Sequence, residues 1–108
     1  MKHRRKTMHA QIETTHDVGR KRVMQLLQYS LNGHREDIEH MQLNIATIRD
    51  SLGMKLHRCR LRATLRHGPQ IEIEDVQARL DLAVTRALER CVRTIRRRRR
   101  ASMQSHFA

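Results

Sequence analysis

Apolar residues first recur at a regular spacing from Val23 onward. Val23, Leu27 and Leu31, with Met24 and Leu26 beside them, form a stripe at intervals of three and four, one face of an amphipathic helix. Asn32-Gly33 supplies the stop, because either residue tolerates the left-handed conformation that closes a helix. A first helix is expected over residues 18–31. Next, Ile38, Met41, Ile45, Ile48 and Leu52 alternate strictly at three and four, the spacing of a coiled-coil seam. Glu36, Asp37 and Glu39 open that stretch and suit the positive end of a helix dipole. Gly53 ends or bends the second helix.

Beyond Gly53 the pattern supports two structures. Leu52, Leu56, Cys59 and Ala63 continue a helical face, whereas Cys59, Leu61, Ala63 and Leu65 alternate with Arg60, Arg62 and Arg66 as a strand would. Past Gly68-Pro69, "IEIE" alternates in the same way. Because lone hairpins are marginal, the expectation is a helix continued to about residue 66, followed by an extended "QIEI". The alternative is a short β-hairpin near 58–74 that sets arginines against glutamates. Asp75 then caps a last helix from 75 to about 99, with Val76, Leu80, Val84, Leu88, Cys91 and Ile95 as its stripe. The expected fold is therefore all-α, with three helices, the second and third forming an antiparallel hairpin. A single domain over 17–99 is flanked by a disordered basic arm, 1–16, and a flexible Arg-rich tail, 100–108.

Charge changes this picture more than composition does. The 108 residues carry a formal net charge of +12, which points to polyanionic partners. Residues 10–89 sum to +1, so the excess lies in the arm (Lys2, Arg4, Arg5, Lys6) and the C-terminal end, where Arg96, Arg97, Arg98, Arg99 and Arg100 are consecutive. Between these ends the charges come in blocks. Residues 53–68 are basic and 70–89 mostly acidic; residues 34–50 are mostly acidic and 90–100 basic. An antiparallel arrangement about Gly68-Pro69 sets each basic block beside an acidic one, each pair worth tenths of a kcal/mol. Five adjacent arginines occupy every face of a helix, so no neighbouring helix neutralises them all. Of the 23 basic residues, 19 are Arg, and Arg forms bidentate bonds to phosphate.

The remaining chemistry is sparse. The four glycines are scattered, so no phosphate-cradling loop forms, and no nucleophile–base arrangement has distinctive spacing. His57, Cys59, His67 and Cys91 match no common zinc spacing, so neither metal nor cofactor is expected and the protein is read as non-enzymatic. Cys59 and Cys91, without a CxxC, are expected as free buried thiols in a reducing, intracellular setting. No apolar run is long enough to span a bilayer, so a soluble protein of the cytoplasm or nucleoid, or of a nucleus, is expected. Tyr29 and Phe107 are the aromatics, too few for a single-strand stacking platform.

Two local likenesses stand beside this reading. "RHGPQIEIEDVQARL" resembles the end of a histone fold, where a long helix leads through an extended loop to a helix opening with Asp-Val; here Asp75-Val76 would be that step. "RRRRRAS" resembles a basophilic kinase site at Ser102, and the arginine run resembles a nuclear import signal.

The expected function is a small DNA-binding, transcription-regulating homodimer. It would grip duplex phosphates through Arg96–Arg100, Lys2, Arg4, Arg5 and Lys6, with Arg58 and Arg62 contributing. The seam of Ile38, Met41, Ile45, Ile48 and Leu52 would close the dimer. RNA is the less favoured polyanion, and a membrane surface is not expected. The alternative is a helical adaptor whose seam binds another protein and whose basic ends steer an acidic partner.

Overall fold

Four strands, not a helical bundle, organise the described residues of this chain. The computed structural model describes residues 8–14 and 19–105. In order they form β1 (His9–Thr14), α1 (Arg20–Ser30), a 3-10 turn (Arg35–Asp37), β2 (Ile38–Arg49), β3 (Lys55–Leu65), β4 (Ile71–Gln77) and α2 (Leu80–Ser105). The strands make one sheet in the order β1-β2-β3-β4; β1 runs parallel to β2, and the other pairs are antiparallel. The crossover needed between parallel neighbours is α1. Both helices lie on one side of the sheet, α2 against β3 and β4, and α1 against β1 and α2.

The all-α expectation fails at the second helix. As a strand, β2 turns Met41, Leu43 and Ile45 toward the helices and Gln42 and Asn44 toward solvent. Leu43 is fully buried yet lies off the seam that a helical spacing selects. Ile38 shares the buried side only because the register slips between Ile38 and His40, a bulge that reverses the parity. Three apparent seam residues (Ile38, Met41 and Ile45) are thus core, Ile48 is half-buried, and Leu52 is exposed at the hairpin tip. The three isoleucines of the stretch, stiff at χ1, also suit a pleated strand better than a helix.

Gly53 lies in the turn between β2 and β3, not at the end of a helix. Its φ of 77° lies where residues with a Cβ are strained. Asp50 builds the turn: its Oδ1 accepts from the amides of Leu52 at 2.9 Å and Met54 at 2.8 Å, and its carbonyl accepts from Gly53 N at 3.0 Å. The chain reverses again at 66–70. Arg62 then faces Glu72 at 3.1 Å, and Arg60 faces Glu74 at 3.4 Å. The 58–74 stretch is a hairpin inside a four-stranded sheet rather than the end of a helix. The histone-like reading fails with it, because Asp75-Val76 lies within β4.

α1 begins two residues later than the 18–31 span and closes at Asn32-Gly33, where Gly33 has φ 87°. The final helix starts at Leu80 instead of Asp75 and continues to Ser105, past the expected start of a tail at 100. At the other end, His9–Thr14, placed in the arm by the sequence pattern, forms the β1 edge. Residues 1–7, with Lys2, Arg4, Arg5 and Lys6, lie outside the described residues.

One core lies between the layers. Ile12 of β1, Leu43 of β2, Cys59 and Leu61 of β3, and Ile71 of β4 meet Val23 and Leu27 of α1 and Val84, Leu88, Cys91 and Ile95 of α2. Burying such side chains contributes about 1.5–3 kcal/mol each.

Candidate functional site

The solvent face of α2 is where charge is concentrated. Buried Ala83, Val84, Ala87, Leu88, Cys91, Val92 and Ile95 leave the opposite side of the helix to arginines. Four of the eight are engaged. Asp75 projects from β4 beneath the helix with its side chain only 9% exposed, and it accepts ion pairs from Arg86 at 3.9 Å and Arg90 at 3.5 Å. Arg90 also donates to the carbonyl of Glu74 at 2.8 Å. One helical run later, Arg98 donates to the carbonyl of Pro69 at 2.6 Å, and Arg99 pairs with Asp37 at 2.8 Å. These contacts fasten both halves of α2 to β4, to the 66–70 turn and to the 3-10 turn.

Arg93, Arg96, Arg97 and Arg100 are exposed and, among the described residues, have no acidic partner within ion-pair distance. Spacings of three, four and seven align them on one stripe. Like charges at such positions destabilise a helix by about 0.2–0.5 kcal/mol per pair, and a polyanion laid along the stripe relieves that repulsion. The expected cluster Arg96–Arg100 is therefore split: Arg96, Arg97 and Arg100 face solvent, Arg98 and Arg99 hold the helix down, and Arg93 joins the exposed set.

Arg58 and Arg62 occupy the other side of the molecule, on the open face of the sheet. Arg62 is compensated by Glu72, whereas Arg58 lies between Ala46 and Val76 in register, and its Nε is buried without a hydrogen-bond partner among the described residues. They do not share a surface with the α2 stripe. Gln42, Asn44, Arg60, Arg62 and Glu74 line a shallow hollow there of about 410 Å³, with acids and bases in near balance.

Beside the α2 stripe, His34 is 9% exposed, and its Nδ1 has no hydrogen-bond partner among the described residues; Asp37 Oδ2 lies 3.9 Å away. Burial lowers its pKa below the ordinary value, Arg96 and Arg99 lower it further, and Asp37 opposes them. Burial pushes the Cys59 thiol up to about 12, with Asp75 adding to the shift, and the Cys91 thiol up to about 11, with Arg98 opposing it. Neither is a thiolate nucleophile near neutral pH. Among the described residues, no three His, Cys, Asp or Glu side chains converge as metal ligands, and no helix is long and apolar enough to cross a membrane.

No family model matches the sequence, and no curated protein matches it. Solved structures do resemble the fold. A ribosomal subunit interface protein from Coxiella burnetii is similar with a TM-score of 0.66 at 14% identity, over 85% of this chain and 98% of that one. The N-terminal domain of Protein Y from Thermus thermophilus is similar with a TM-score of 0.57 at 18% identity, over 84% and 97%.

These likenesses and the buried seam together overturn the DNA-binding, transcription-regulating helical homodimer. Ile38, Met41 and Ile45 are covered by the chain's own helices, so the apolar surface that called for a second copy is internal. The helical adaptor falls for the same reason, since its interface was that seam. Duplex DNA and a homodimer fall as partners with them.

Proposed function

We propose that this protein is a non-enzymatic, ribosome-binding protein that acts where the ribosomal subunits meet, holding ribosomal RNA phosphates with Arg93, Arg96, Arg97 and Arg100. The observation that carries the reading is this exposed stripe, on a fold similar to that of a ribosomal subunit interface protein. Arg is suited to the task because its planar fork meets phosphate oxygens in pairs. Folded RNA offers shape and dense phosphate, which a rigid basic helix can meet without reading sequence. The basic residues of the first six positions would add to this contact. Arg58 and Arg62, on the opposite face, would not.

Co-sedimentation with purified bacterial ribosomes tests it. The chain should travel with ribosomes at about 50 mM salt and release progressively as salt rises, because counterion release governs phosphate contacts. Replacing Arg93, Arg96, Arg97 and Arg100 together by Gln should leave the helical content intact and abolish co-sedimentation. A wild-type chain that stays at the top of the gradient, or a quadruple variant that binds equally well, would refute the reading.

A further inference from the structure

α1 and α2 do not close completely over one another. Between the C-terminal half of α1 and the middle of α2 runs a groove of about 670 Å³, within the size range of small-ligand sites. Its floor is apolar, from Leu26 and Val92. On one side stands Tyr29, 85% exposed, an aromatic ring without the burial that rings usually have. Asn32 and His34 close one end with polar groups, and Arg93 and Arg96 form the far wall.

We infer that this groove receives one unstacked nucleotide of RNA, its base laid against Tyr29 and its phosphates held by Arg93 and Arg96. The inference rests on the ribosome reading and names the kind of RNA feature that reading would engage. Three observations converge on it. Tyr29 is exposed beside an apolar floor, the setting in which a base gains from stacking. His34 lines the groove's end and, with its buried Nδ1 toward Asp37, leaves a polar imidazole beside which a base edge can lie. Asn32 beside it offers both a donor and an acceptor. Finally, the two wall arginines lack acidic partners among the described residues, and phosphate complements them. Glu89 also lines the groove and opposes a second phosphate on that side, so one nucleotide fits the charge better than a run of several.

The chain supplies its own reporter. Tyr29 is its single tyrosine and there is no tryptophan, so tyrosine emission reads this groove alone. Titrating the full chain with a tetra-adenylate ribo-oligonucleotide should quench the emission saturably, and Arg96→Gln should weaken the apparent affinity several-fold, whereas inorganic phosphate should not quench. Unsaturable quenching, or quenching indifferent to Arg96→Gln, would overturn the inference. So would saturable quenching by a poly-glutamate peptide and not by the oligonucleotide, which would assign the groove to an acidic protein segment.

On ribosomes, Tyr29→Ala should bind roughly 5- to 150-fold more weakly, the loss expected for one stacked base, while Tyr29→Phe binds as wild type. Wild-type co-sedimentation with an unimpaired Tyr29→Ala refutes the groove and leaves the ribosome reading standing. A wild type that never co-sediments refutes the ribosome reading, and the oligonucleotide titration then decides the groove by itself.

Discussion

Arg97 and Arg99 are two residues apart in an unbroken run of arginines, and the structure sets them in opposite surroundings. Arg99 reaches Asp37 at 2.8 Å and 3.0 Å, while Arg97 is exposed without an acidic partner among the described residues. A hydrogen bond to a charged group is worth about 1.5–3 kcal/mol when well shielded. Here the side chains are 54% and 26% exposed, so solvent screening reduces the pair to about 1 kcal/mol. Arg99→Gln should therefore lower the melting temperature by roughly 4–8 °C, the response of a domain this small to 1 kcal/mol. Arg97→Gln should change stability by less than about 0.5 kcal/mol. In the proposed binding to ribosomal RNA the order should reverse. Arg97→Gln should flatten the log–log salt dependence by about one phosphate's worth, roughly 0.7–0.9, and Arg99→Gln should leave the slope unchanged. Melting followed by circular dichroism and binding followed over a salt series give both readouts. Asp37→Asn should match the melting loss of Arg99→Gln, and the double variant should add little, because both changes break one contact. If Arg97→Gln melts lower than Arg99→Gln, or if the two Asp37/Arg99 losses add in full, the division of the run into anchors and contacts is wrong.

Two further outcomes check the fold and the core. Leu43→Ala should cost about 2–5 kcal/mol in chemical denaturation, whereas Leu52→Ala, at an 86% exposed site, should stay within about 0.5 kcal/mol; a helical seam would make Leu52 the costlier position. The thiols of Cys59 and Cys91 have folded pKa values raised to about 12 and 11, so their contribution is fully present below the unfolded thiol pKa near 8.5 and is lost as pH rises toward the folded values. Between about pH 9 and 11 the unfolded chain sheds these protons first, and stability should fall by about 1.4 kcal/mol per pH unit per thiol. Denaturant unfolding at pH 8 and pH 10.5 measures that loss, and a Cys59→Ala/Cys91→Ala variant with an equally steep pH dependence would contradict the assignment.

Much of the site was legible without coordinates. The excess charge at the C-terminal end, and its escape from any one neighbour, follow from five adjacent arginines on a helix of 3.6 residues per turn. Which of them stay free was not legible, because that depends on where Asp37 and the Pro69 carbonyl sit beneath the helix. The groove was missed for a related reason. Tyr29, Asn32, His34, Arg93 and Arg96 are separated by some sixty residues of chain, and no local pattern brings them together. A lone exposed tyrosine on an amphipathic helix was the one available hint.

The sequence by itself determined where the chain turns and which blocks lie side by side. Asn32-Gly33, Gly53 and Gly68-Pro69 each mark a reversal, since these residues favour conformations that others resist. Charge complementarity likewise set Arg60 and Arg62 beside Glu74 and Glu72, and Arg99 beside Asp37, whichever secondary structure carried them. What only the tertiary structure decided is that residues 38–77 are strands. Met41 and Ile45 satisfy a period of 3.5 and a period of 2 alike, so spacing alone does not choose between helix and strand. A helix closes its hydrogen bonds locally, whereas β2 must find β1 on one edge and β3 on the other. The apolar face offered by α1 and α2 then makes the sheet worth forming, and no window of the sequence contains that face.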